Sequence, residues 1–284
     1  MNANLLPREE YIEQAYLFRM VGERLPENMP LQELLSQARA ELLATTKLPM
    51  AVDFMLSELL HGGAFAPAMD RLKHYFAPFQ AFLIREAESE RGRFDFRMAM
   101  VILQREAEYR SSEPSPQGLF LYQFESLCRN RLSYDRGMAA MAGDSVYDEA
   151  WRDWILEVRR QVGLIDLADM IYVRSEHFWA RQARRTDEPV EPTRPILFGD
   201  KEGKIALANR RKDPLYFFAA LQRHLNYPSV PRPQPIDESK HLLPQALRRL
   251  ERLEARIKLL EEEQRGGIDI TKFYNPHGPF PQDS

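Results

Sequence analysis

Only one cysteine, Cys128, occurs in the 284 residues. An intrachain disulfide is excluded, and a reducing compartment fits such usage. Long apolar runs are also missing. The longest, Leu215 to Leu221, covers about seven residues where a membrane helix needs roughly 20. The opening MNANLLPREEYIEQ holds no apolar stretch of signal-peptide length. Neither sign of charge dominates: 39 Lys and Arg face 42 Asp and Glu, a net −3. A global basic footprint for nucleic acid or anionic lipid is therefore absent. Catalytic signatures are missing too. There is no phosphate-cradling glycine loop, no G-x-S-x-G elbow, no cysteine pair and no Cys–His nucleophile arrangement. A soluble, cytoplasmic chain is expected, with neither a membrane nor a nucleic-acid partner.

What the chain does have is helical periodicity. Residues 8–185 read as a helical body of about eight helices with short connections, the pattern of an antiparallel bundle or a short α-solenoid. Pro30, Pro49 and Pro67 stand at helix starts, and Pro78 should break the helix within HYFAPFQAF. Phe94 to Arg110 is apolar around much of its circumference and reads as a central helix. The clearest stripe follows a cap at Asp144 or Ser145. Tyr147, Trp151, Trp154, Ile155, Val158 and Val162 share one face, and Gly163 ends the helix. Leu164, Leu167, Ile171, Ser175 and Phe178 trace one further helix to about Arg185.

The texture changes at TDEPVEPTRP, residues 186–195. Residues 194–227 are expected to form a small β-hairpin and a helix. Ile196–Phe198 and Lys204–Leu207 would be the strands, with Asp200–Gly203 as the turn and Asp213-Pro214 starting the helix. A proline-rich linker is expected at 228–236. An amphipathic, coiled-coil-like helix should follow at 237–265, and an irregular tail at 266–284. In the helix, Leu243, Leu250 and Ile257 recur at seven, as do Ala246, Leu253 and Leu260 at an offset of three. These are the a and d positions of a heptad seam. Arg249 and Arg256 then fall at g, and Glu254 and Glu261 at e. Each arginine precedes a glutamate by five, the g-to-e′ relation of a parallel pair.

Candidate chemistry is sparse. Glu58 and His61 have the ExxH spacing of helical di-metal sites, and Glu238 and His241 repeat it. Asp70 and His74 lie near the same turn as the first pair. A chain with this many glutamates and histidines produces such spacings by chance. His61, just before Gly62-Gly63, more simply complements a helix C-terminus. No metal and no cofactor is expected; Glu58, His61, Asp70 and His74 are the alternative ligand set. Asp166 and Asp169 suit the first turns of a helix. Trp151, Trp154 and Trp179 read as core. Arg181, Arg184 and Arg185, with Arg210, Arg211 and Lys212, are basic clusters without interleaved aromatics.

The sequence thus predicts a mainly α protein with one hairpin. Its function reads as a non-catalytic scaffold or adaptor, a homodimer through the C-terminal helix or the binder of a protein partner, unless that helix folds back on its own body. The alternative is a helical-bundle enzyme or ligand-binding protein whose site is assembled from distant helices.

Overall fold

The computed structural model describes residues 6–25, 30–62, 64–89, 94–161, 163–186 and 192–232, together with Ile257. The chain divides into two compact units, Met1–Pro233 and Gln234–Ser284. The described part of the first unit is mainly helical, with no sheet. Its helices are α1 (Arg8–Arg24), α2 (Leu31–Glu41), α3 (Leu48–Gly62), α4 (Ala66–Arg71), α5 (Pro78–Glu88), α6 (Phe96–Ser111) and α7 (Pro116–Asn130). After these come α8 (Tyr134–Ala142), α9 (Glu149–Gln161), α10 (Leu167–Val173), α11 (Glu176–Thr186), α12 (Asp200–Asn209) and α13 (Pro214–Leu225). In the second unit only Ile257 is described, in helical conformation. The remaining heptad residues lie outside the described part.

Local chemistry sets many of the boundaries. Pro78 does break the chain: α4 ends before it, and it opens α5 at the first helical position, where its missing N–H costs nothing. Asp95, Ser115, Asp166 and Asp213 cap α6, α7, α10 and α13, each accepting a first-turn backbone N–H. The α6 helix is central. Its most extensive contact is with α1, and it also touches α5 and α7. Contact between helices so far apart in sequence is not the nearest-neighbour stacking of a solenoid.

The α9 stripe faces inward as expected, with Tyr147, Trp151, Trp154, Ile155 and Val158 all buried. Trp154 has Phe120 at 4.8 Å, Phe198 at 5.1 Å and Trp151 at 5.5 Å between ring centroids. Such tilted and edge-on pairs add to plain area burial.

Two expectations need correction. Lys204–Leu207 is not a strand, and Asp200–Gly203 is not a turn; both belong to α12. Asp200 and Glu202 stand in its first turn, where acids favour the helix dipole. Glu202, Gly203 and Ala206 form its buried face. Gly203 is required for close approach, not for a left-handed turn. A Cβ there would lie 2.3 Å from Ser175 Oγ and 2.7 Å from His177 Cβ. The first expected strand survives only as an extended segment with an isolated parallel bridge between Ser175 and Phe198.

That segment causes the second correction. Leu164 to Arg185 is two helices, α10 and α11, parted at Arg174–Ser175. The Leu197 and Phe198 N–H groups both donate to the Arg174 carbonyl, at 2.9 and 3.1 Å, and the Phe198 carbonyl accepts from Glu176 N–H at 2.9 Å. Ser175 Oγ accepts from Phe178 N–H and restarts the helix. The proline-rich stretch begins on the body. Tyr227 donates to Glu125, Arg105 to Ser229 and Asn130 to Pro231, while Val230 is buried.

Trp154→Ala is expected to cost about 3–5 kcal/mol in denaturant unfolding, as buried aromatic truncations do. Gly203→Ala is expected to cost about 1–3 kcal/mol through overpacking against Ser175 and His177. An unchanged midpoint for either variant would contradict the packing described.

Candidate functional site

The strongest concentration of buried chemistry starts on α6. Ala99, Leu103, Glu106 and Arg110 recur at four, three and four residues, so they share one helix face, and all four are buried. The Arg110 guanidinium donates to Glu106 Oε1 through Nη2 at 2.9 Å and Nε at 3.3 Å. Nη2 also donates to Asp144, in the α8–α9 turn. Gln123 of α7 donates to the same Glu106 oxygen at 2.7 Å, and Tyr147 donates to Gln123 at 3.0 Å. Asp144 additionally accepts the Val146 N–H at 3.1 Å. Arg110 thus ties α6 to the α8–α9 turn through Asp144, and Glu106 ties it to α7 through Gln123.

The electrostatics follow from burial. Among the described residues Glu106 Oε2 has no hydrogen-bond partner. Desolvation raises the Glu106 carboxyl above the ordinary carboxylate range, outweighing the pull of Arg110. Burial also pushes the Tyr122 and Tyr147 phenols well above their usual value.

A cavity of about 140 Å³ opens beside this cluster, between the start of α1, the α4–α5 turn and the α8–α9 turn. Tyr11, Lys73, His74, Gln80, Arg110 and Asp144 contribute to its walls. Next to it lies a second polar set on α1. Glu10 accepts from Tyr75 Oη at 2.6 Å and from Lys47 N–H at 2.8 Å. Gln14 donates to the Tyr75 carbonyl and accepts from Gln80.

The residues singled out in the sequence are not gathered into a metal site. Glu58 pairs with Arg71 at 2.6 Å, Asp70 pairs with Arg85, and His61 Nδ1 meets the Ser57 carbonyl at 2.6 Å. His74 is exposed at the rim of the cavity. Among the described residues no group of three or more His, Cys, Asp or Glu could hold a metal ion. Glu238 and His241 lie outside the described residues, as do Leu243, Ala246, Arg249, Leu250, Leu253, Glu254, Arg256, Leu260 and Glu261. Asp166 caps α10 and Asp169 pairs with Arg210, so both are structural. Trp179 is half-buried, with its Nε1 unpartnered.

Sequence reasoning missed the Glu106–Arg110–Asp144 set. Its signal was present as a charged i, i+4 pair on the same stripe as Ala99 and Leu103. Asp144 was expected to cap the next helix; its carboxylate bridges a turn N–H and a buried arginine instead.

Comparison of the chain with protein-family models, with curated proteins and with solved structures found no match. Among the described residues no helix is long and apolar enough to cross a membrane.

Arg110→Ala would leave two buried carboxylates without their cation and is expected to cost about 3–5 kcal/mol. Glu106 also gives a pH test. Its folded-state pKa is raised, so its contribution to stability is full below the unfolded value and is lost as pH rises through the folded one. Glu106→Gln removes this loss. The stability of the variant relative to wild type should therefore increase as pH climbs from about 4 toward neutrality. Paired denaturant titrations across that range check the sign, and a constant difference would contradict it.

Proposed function

We propose that this protein is a non-catalytic helical scaffold or adaptor that self-associates through its C-terminal segment as a parallel two-stranded coiled coil. The observation carrying this reading is the division of the chain at Pro233 and Gln234. The heptad seam from Leu243 to Leu260 falls entirely in the second unit, while the first unit has a continuous core of its own reaching to Val230. Arg249 to Glu254 and Arg256 to Glu261 supply the cross-strand charge relation of a parallel pair. The chemistry of the body supports the same reading. Glu10, Glu13 and Glu88 accept loop backbone N–H groups, and Asp166 and Asp213 cap helices, so these acids serve architecture. A cytoplasmic location fits the single, half-buried cysteine.

A second reading, a ligand-binding bundle, is favoured by one specific observation: the cavity lined by Arg110 and Asp144.

Light scattering on the intact chain is expected to give the mass of a dimer. Ile257→Asp places a charge in the seam, which is costly unless paired. It should yield monomers whose body still unfolds at the wild-type midpoint. A wild type that is monomeric at high micromolar concentration would refute the coiled coil.

A further inference from the structure

The cavity above Arg110 is one-sided in its chemistry. Its lining carboxylate, Asp144, is engaged at both oxygens, Oδ1 by the Val146 N–H and Oδ2 by Arg110. Gln80 is engaged at both ends as well, with Oε1 accepting the Ala77 N–H and Nε2 donating to Gln14. The Tyr75 carbonyl takes the Gln14 amide, and the Ala77 carbonyl takes two backbone N–H groups. These four acceptors on the walls therefore already have donors.

The donors do not all have acceptors. Arg110 lines the cavity with its side chain only 3% exposed. Its Nε and Nη2 are taken by Glu106 and Asp144, and among the described residues Nη1 has no acceptor. Tyr11 accepts the Leu6 N–H at 3.4 Å, which leaves its hydroxyl proton to give. Lys73 and His74 stand at the rim, and among the described residues neither side chain has a bonded partner. The guanidinium reaches the wall of a space of about 140 Å³, where its unused protons can be given to whatever enters.

We infer that this cavity is a binding site for a small oxyanion, a phosphate or carboxylate group, received by Arg110 Nη1, the Tyr11 hydroxyl and the Lys73 ammonium. A larger molecule carrying such a group would enter by its anionic end. Glu106 shares Arg110 but does not line the cavity, and Asp144 is already engaged by donors. The two carboxylates more than balance the guanidinium charge, so Lys73 supplies the cation at the entrance, and Arg110 and Tyr11 supply directed donors inside. The site is independent of whether the second unit self-associates.

The test is an amide NMR titration of the full chain at constant ionic strength, with inorganic phosphate and acetate as separate arms and chloride as the background salt. Saturable shifts are expected, confined to the amides of residues 73–77 and 143–145 and to the Arg110 side chain. Lys73→Ala and Tyr11→Phe should each weaken binding about fivefold, the loss of one hydrogen bond or exposed charge contact. Both leave Arg110 and its two carboxylates in place, so the fold is preserved, and Lys201→Ala on α12 serves as a neutral control. Saturation by phosphate alone assigns a phosphate-bearing ligand, by acetate alone a carboxylic acid, and by both a general oxyanion site. Failure of both anions to saturate, shifts spread over the surface, or unchanged affinity in both variants would overturn the inference.

Discussion

A buried guanidinium held between two carboxylates is the constraint on which this body rests. Arg110 cannot give up its proton, so once it is buried it must have acceptors. Glu106 supplies one from the preceding turn of α6, and Asp144 supplies another from the α8–α9 turn. An interaction of this kind is weak evidence for net stability, because desolvating three charged groups offsets much of their attraction. What it does impose is geometry. The α8–α9 turn must pass over the end of α6, and Gln123 on α7 must face Glu106 from the other side. The positions of α7, α8 and α9 around the central helix follow from these bonds and from the aromatic packing beyond them.

The same principle recurs with single acids. Short connections bring backbone N–H groups close to the core, where each needs an acceptor. Glu13 accepts the Leu43 N–H at 3.0 Å, and Glu10 accepts the Lys47 N–H at 2.8 Å, so α1 holds both ends of the α2–α3 connection. Glu88, at the end of α5, takes the Phe65 and Ala66 N–H groups that begin α4. Buried polar groups here fix where chain segments cross, while apolar packing supplies the driving force.

How much of this was legible in the sequence depended on whether the signal was local. The α9 stripe, the proline starts and the aspartate caps are readable because periodicity and capping act within one or two turns. The α12 segment misled because Asp-Lys-Glu-Gly suits a hairpin turn and a helical first turn equally well. The deciding fact, that Gly203 packs against Ser175 and His177, is tertiary. The break between α10 and α11 was hidden for a similar reason. Its cause is Leu197 and Phe198 bonding to the Arg174 carbonyl, more than 20 residues downstream. Glu106 and Arg110 were visible as letters but were masked by the apolar residues around them. A charged pair on the buried stripe of a central helix is the pattern that deserved weight. The heptad seam shows the opposite case, since its repeat is plain and its partner cannot be named by any local rule.

Arg105, Glu106, Tyr109 and Arg110 fall within about two turns of α6. Glu106 and Arg110 point to the polar cluster. Tyr109 donates to the Leu225 carbonyl at the end of α13, and Arg105 holds Ser229 beyond it. Tyr227, between those two anchors, donates to Glu125 of α7, and Gln123 on the same helix donates to Glu106. Bonds to the end of the first unit and bonds of the buried triad thus share two helices. Groups that share partners in one network do not contribute independently, so a change in the triad will not add simply to one at Tyr109 or Tyr227. The central helix joins the cavity to the segment that closes the body.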